Sequence, residues 1–321
     1  MDPARDLGAI ASLIADAFAD EMDQRGRAAL REMRWLGRLS PLVWWWAQAD
    51  PTFRDAFNGF VWEEPGPRGK GRRVVGNVSL SRAAGSRRHW ILCNVVVHEN
   101  YRGRGIGQQL VDAAIAEARL MGAMGVVLQV YKDNPVALRL YRRRGFHEAA
   151  GEVDFGLSAI RAAAFLDAPG YRIRAWQPAY GQAAYKLAQK VIPSELQWLR
   201  PIEAGKYRQG WSSRLSEPLG NLLAGRRAYR LAVFRNDDLV AVMVVTAAFR
   251  RGEHRLDLVV HPEHAGRVEA ALVSRALHML AALPSRPVRS TVSQEHKALI
   301  AVLRDYGFAQ GRTLLTLRRN F

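Results

Sequence analysis

The chain has 321 residues, of which 49% are apolar, and a formal net charge of +17. That length suggests two domains, and the apolar share is ample for two cores. A single cysteine, Cys93, excludes an intrachain disulfide, and no apolar run reaches the roughly 18 residues of a membrane-crossing helix. No secretory leader pattern opens the chain, so a soluble, cytoplasmic protein with no membrane partner is expected. The charge is uneven: residues 1–160 carry 22 basic and 18 acidic side chains, residues 161–321 carry 25 and 12. A basic second half would attract acidic partners. However, no run exceeds the three arginines Arg142–Arg144, and aromatics do not alternate with them in a stacking pattern, so nucleic acid is not the expected partner.

The first helical pattern begins directly after Met1–Asp6, with no strand before it. The second half begins with a strand before its first helix, so a first strand here is expected to be either supplied by the partner domain or lost to a late start codon. Trp35 and the run Trp44-Trp45-Trp46 follow, and suit either an aromatic acceptor pocket or packing against a second domain. Next comes an apolar strand, Trp90-Ile91-Leu92-Cys93-Asn94-Val95-Val96-Val97, which runs into a turn with glycines at alternate positions, Gly103, Gly105 and Gly107. A helical pattern starts at once, with Leu110, Ala113, Ala114, Ala118 and Met121 at steps of three or four. The first amides of a helix have no intrahelical partner, and the helix dipole places partial positive charge there. Glycines let that backbone approach a phosphate without a Cβ in the way. The turn is therefore expected to bind a phosphate group.

Two common phosphate-binding patterns do not fit. Gly107-Gln108-Gln109 does not supply the Lys-Ser or Lys-Thr of a nucleoside-triphosphate loop. A dinucleotide fingerprint places its third glycine three residues after the second, and here the gap is two. Farther on, Gly125–Tyr131 reads as a strand, Pro135 opens a helix, Gly145 ends it and Phe146 begins another strand. The pattern Arg-x-x-Gly-x-Gly from Arg102 to Gly107 resembles the coenzyme A turn of the GNAT acetyltransferase superfamily. Asn134, Ala137, Tyr141, Gly145 and Phe146 resemble that family's second signature. The resemblance covers residues 6–157.

The resemblance implies an α/β (α+β) fold with a mixed central sheet flanked by helices, and transfer of an acetyl group from acetyl-CoA to an amine. The pyrophosphate would be held by Gly103, Arg104, Gly105, Ile106, Gly107 and Gln108, with charge from Arg102 and Arg104. Val95, Val96 and Val97 would offer a strand edge to the pantetheine arm, and Asn134 would bind cofactor or cap its helix. Tyr141 matches the family's general acid; a phenol near its ordinary pKa of about 10 can protonate a departing thiolate. Many relatives carry a glutamate on the strand before the turn. This chain has none there, and no base is assigned; Glu63, Glu64, His98 and Asp154 qualify by composition alone. The acceptor is expected to be a small-molecule or peptide amine, with a non-catalytic acetyl-CoA sensor, or an acyltransferase using another donor such as aminoacyl-tRNA, as alternatives.

The second half repeats the first. Leu258-Val259-Val260-His261 echoes Val95-Val96-Val97-His98, but Gly105, Ile106 and Gly107 become Val268, Glu269 and Ala270, and Tyr141 becomes Leu303. A degenerate copy of the same fold without the cofactor chemistry is expected. The division is read as a first domain over 1–157, a linker over 158–170 with a helical start, and a second domain over 171–321. His261-Pro262-Glu263-His264 shows two histidines without a third ligand, so no metal site is expected there.

Overall fold

The structure, a computed structural model, describes residues 1–17, 31, 35, 58–66, 71–160, 165–193, 196–199, 225–250 and 252–321. Two compact units emerge. The first comprises Met1–Gln129, Val136–His147 and Thr316–Phe321; the second comprises Val130–Pro135 and Glu148–Leu315.

In the first unit, helix α1 (Pro3–Ala17) is followed by strands β1 (Asn58–Pro65), β2 (Arg72–Arg82) and β3 (His89–Val97), helix α2 (Ile106–Leu120), strand β4 (Gly125–Tyr131) and helix α3 (Pro135–Arg142). Among the described residues no strand precedes α1. The sheet runs in the order β1, β2, β3, β4. The first three strands are antiparallel, and β4 joins β3 in parallel. Helix α1 buries Leu7, Ile10, Ala11, Leu13 and Ile14, one face at helical spacing. Its Asp6, 1% exposed, is held by Arg72 at 2.8 Å and accepts the amide of Asp2 at 2.7 Å. Helix α2 buries Ile106, Leu110, Val111, Ala114, Ile115 and Ala118. A Cβ at Gly76 on β2 would sit 2.9 Å from Leu110 Cδ1 and 3.1 Å from Ile106 Cγ2. That glycine therefore sets how closely the start of α2 approaches the sheet, which positions the turn before it.

The second unit holds β5 (His147–Leu157), β6 (Arg172–Ala175), α4 (Gly181–Val191), β7 (Arg226–Arg235), β8 (Asp238–Ala248), β9 (His254–Val260), α5 (Glu269–Ala281), β10 (Val288–Ser293), α6 (Lys297–Asp305) and most of β11 (Ala309–Asn320). Here β6 to β9 are successively antiparallel and β10 joins β9 in parallel, as β4 joins β3 in the first unit. Strand β5 pairs antiparallel with β10, from Leu157–Val288 to Glu152–Ser293, and its Val153, Phe155 and Leu157 enter this unit's core. The end of β11 belongs to the first unit, where Arg319 O lies 2.8 Å from a Cβ built on Gly125 and Phe321 N donates to Met124 O at 3.0 Å. The compact units thus interleave along the chain, whereas a division at 157 follows the sequence.

Of the linker, residues 161–164 lie outside the described set; 165–168 and 158–160 carry no helix. Trp44-Trp45-Trp46 also lies outside the described residues, while Trp35 is exposed.

Candidate active site

The site in the first unit starts from an irregularity in β3. The pairing of β2 with β3 steps from Ser79–Cys93 to Asn77–Val96, so Asn94 and Val95 together oppose Val78 alone. This is a β-bulge. Asn94 carries it with φ +52°, a left-handed value that asparagine tolerates better than most residues. Three hydrogen bonds fix it: Asn77 Nδ2 donates to Asn94 O at 2.9 Å and to Ser79 Oγ at 3.2 Å, and Asn94 Nδ2 donates to Ser79 Oγ at 3.3 Å. Asn77 is fully buried, and its Oδ1 has no partner among the described residues. Strands β3 and β4 pair only from His89–Gly125 to Ile91–Val127, before the bulge.

Beyond it, His98 N donates to Val75 O at 2.8 Å, on the β2 side. Antiparallel alternation then turns the amide and carbonyl of Val97 to the other edge. Val97 O accepts from Arg102 Nε at 3.1 Å. Arg102 therefore ties the turn to the strand edge, a structural duty that the sequence reading did not foresee. Arg104 is committed in a similar way: it donates to Asn100 O at 3.1 Å and stacks over Tyr101 at 4.8 Å.

In the turn, Gly103 and Gly105 take φ of +80° and +79°, and Gly105 caps α2. Arg102 N donates to Glu99 O, and the next committed amide is Gln108 N, which donates to Gly105 O at 3.0 Å. Among the described residues the five amides from Gly103 to Gly107 therefore have no partner. A run of free amides around two left-handed glycines at a helix start forms an anion nest. The amide of Gln108, expected to contribute, is already spent. A Cβ on Gly107 would lie 3.6 Å from Val97 Cγ2, an ordinary contact. The nest therefore fits a pyrophosphate.

Tyr141 lies on α3, 6% exposed, with its ring edge-on to Phe146 at 5.8 Å. Burial pushes its phenol up to about 12. Among the described residues its hydroxyl has no hydrogen-bond partner. The expectation of a pKa near 10 is thus corrected, because the apolar surroundings disfavour the phenolate. Asn134 falls among the residues of the second unit, and its backbone amide donates to Tyr131 O at 3.0 Å.

The second unit shows what happens to the same turn when the glycines are lost. The β8–β9 register runs without a shift from Ala241–Val260 to Thr246–Arg255, so the bulge is gone. Glu269, 1% exposed, turns its carboxylate back on the turn and accepts the amides of Gly266 at 2.9 and 3.0 Å and of Val268 at 3.2 Å. His296 Nε2 is also 2.8 Å from it. Burial alone would raise this carboxyl, but the bonds from His296 and from the amides of Gly266, Glu269 and Val268 outweigh it and hold the group below its ordinary value. The chain's own carboxylate occupies this nest. Leu303, at the position of Tyr141, is fully buried in the core.

The sequence reading missed Asn77, Ser79 and the bulge. Two asparagines within β-strands, where that residue is depleted, were the available signal.

Together, a bulged strand parting from its parallel neighbour and a glycine nest at a helix start define the class: a tandem acyl-CoA N-acyltransferase (GNAT) fold. Residues 15–146 match the Acetyltransferase (GNAT) family model. The uncharacterized N-acetyltransferase YobR of Bacillus subtilis is 42% identical over 73 residues, which is 23% of this chain and 28% of that protein. The chain thus spans less than a third of that relative's length. Likeness of fold extends over both units. A GCN5-related N-acetyltransferase from Sphaerobacter thermophilus superposes with a TM-score of 0.59 at 18% identity, over 99% of this chain and 93% of that one. A tandem GNAT protein from the clavulanic acid biosynthesis pathway gives 0.50 at 19% identity, over 78% and 80%.

Proposed function

We propose that the protein is an N-acetyltransferase that uses acetyl-CoA to acetylate a primary amine, with one working site per chain, in the first unit. The observation that carries this reading is the nest of five amides from Gly103 to Gly107 without a partner among the described residues, at the foot of a strand whose parallel pairing has ended. Gly103 to Gly107 would hold the pyrophosphate, and Val95 and the Val97 amide, on the edge turned away from β2, would present backbone groups to the pantetheine amides. Arg102 would keep the Val97 edge and the turn in one geometry, and Arg104 would stiffen the turn from outside. Bound acetyl-CoA supplies an activated acetyl thioester.

Tyr141 stays protonated throughout the physiological range. Complete proton transfer from a phenol at about 12 to a thiolate near 8.5 is uphill by roughly 5 kcal/mol. Its role is therefore to donate a hydrogen bond to the sulfur as negative charge collects there, while the proton shed by the attacking amine balances the departing thiolate. An amine of ordinary pKa, about 10.4, costs roughly 4–5 kcal/mol to present in its neutral form at pH 7. The rate is therefore expected to rise with pH toward the acceptor's own pKa. Screening a panel of primary amines with acetyl-CoA tests the reading. Acetylation by wild type, and its loss in Tyr141→Phe and in a variant with Gly107 replaced, is the expected result. Binding of acetyl-CoA with no acetylation of any amine would leave a sensor and refute the enzyme.

A further inference from the structure

The turn that follows β9 copies the turn that follows β3 but changes its side chains. In the first unit, His98 Nδ1 accepts the amide of Asn100 at 3.3 Å, and the His98 ring meets Tyr101 edge-on at 5.7 Å. In the second unit, His261 Nδ1 accepts the amide of Glu263 at 3.4 Å, and the His261 ring faces His264 at 5.7 Å. The scaffold is the same, but an asparagine has become a carboxylate and a tyrosine an imidazole. The third donor that the sequence reading found missing is Glu263, between the histidines. One donor atom from each of His261, Glu263 and His264 lies within 4.8 Å of the others.

We propose that His261, Glu263 and His264 form a binding site for a borderline divalent transition metal ion such as Zn²⁺, with the fourth position open to solvent. Ligand atoms around a tetrahedral zinc ion lie about 3.3–3.5 Å apart, given metal–ligand bonds near 2.0–2.1 Å. His261 Nδ1 and Glu263 Oε2 are 4.0 Å apart, and the Glu263 side chain is 82% exposed, so a small rotation closes the gap. The weak 3.4 Å bond to the Glu263 amide is readily exchanged for a metal bond. His264 is already oriented: its Nδ1 is 3.0 Å from the Tyr171 hydroxyl. With Nδ1–H donating to that oxygen, Nε2 keeps the lone pair for a metal, the arrangement that fixes metal-binding histidines elsewhere. Arg235 stacks on Tyr171 at 5.6 Å, and both Arg235 and Arg267 act electrostatically on His264. Two imidazole donors with one carboxylate suit ions that bond to nitrogen, whereas Mg²⁺ and Ca²⁺ take oxygen ligands and are not expected to bind here.

The test is equilibrium titration of the full chain with Zn²⁺ against a chromophoric chelator, with Mg²⁺ as control. One Zn²⁺ per chain is expected, with affinity at least tenfold weaker in Glu263→Gln and lost in the double variant His261→Gln/His264→Gln. Tyr171→Phe should weaken it by about 10–100-fold, as for other partners of metal-bound histidines. Glu263 is a surface residue, so its variant keeps the fold, and thermal melting with and without Zn²⁺ checks this independently. Absence of saturable binding, or equal binding by wild type and Glu263→Gln, would overturn the proposal; the latter would place the ion on other histidines.

Discussion

Gly107→Ala separates binding from folding, which most substitutions in the turn do not. The backbone at Gly107 is not left-handed, and the added methyl would rest 3.6 Å from Val97 Cγ2 without a clash. Alanine is favoured over glycine by up to about 1 kcal/mol within a helix, through lower unfolded-state entropy, and less in the first turn. The melting temperature should therefore hold or rise by up to about 4 °C. The same methyl occupies space within the nest and obstructs the approach of an anion to the amides. Each charge-assisted hydrogen bond lost is worth about 1.5–3 kcal/mol, so acetyl-CoA affinity should fall by about 10–100-fold. Gly105→Ala provides the contrast. At φ +79° it forces an L-residue into left-handed backbone at a cost of about 1–2 kcal/mol, so stability and binding should fall together. Calorimetric titration and a melting curve on each variant make the comparison. Unchanged affinity in a folded Gly107→Ala protein would refute the assignment of the nest as the pyrophosphate site.

Tyr141→Phe should lower kcat by roughly 10²–10⁴-fold with little change in melting temperature, since among the described residues no hydrogen bond is lost. Because the phenol titrates at about 12, the pH–rate profile should show no falling limb from Tyr141 below about pH 11; a limb near pH 9–10 that vanishes in Tyr141→Phe would contradict its burial. Glu269→Ala should destabilise the protein by about 2–4 kcal/mol, measured by denaturant unfolding, because it strands the amides of Gly266 and Val268. The carboxyl sits below its unfolded value of about 4.3, so its contribution is present above that pH and is lost as pH falls through the folded pKa; Glu269→Gln should flatten that acid limb. Asn77→Ala should cost about 1–3 kcal/mol and weaken acetyl-CoA binding, through release of the bulge at Asn94. Unaltered affinity in that variant would show that the bulge is not needed to hold the cofactor arm.

Much of this architecture is legible in the residues. Alternating glycines after an apolar strand specify a nest because only glycine takes left-handed backbone freely, and Gly103 and Gly105 do so here. Helical spacing and the flanking Pro135 and Gly145 marked α2 and α3 to within a few residues of their observed ends. Side-chain direction was not legible. Glu269 in place of Ile106 reads as an obstruction, but that its carboxylate turns inward to satisfy the turn's own amides depends on tertiary packing. The β3 bulge leaves only two strand asparagines as a trace. The pairing of β5 with β10 is a long-range choice of partner, and strand periodicity shows which face is buried, not which edge is joined. The phenol of Tyr141 has an ordinary pKa in sequence; only its burial displaces it.

The central claim is that the chain has one working nest and one filled by its own carboxylate. Calorimetric titration of the wild-type chain with acetyl-CoA tests it most directly. The account predicts a stoichiometry of one per chain, unchanged by Glu263→Gln. Two sites per chain would mean that Glu269 yields its place in the second nest, and no binding at all would remove acetyl-CoA from the first.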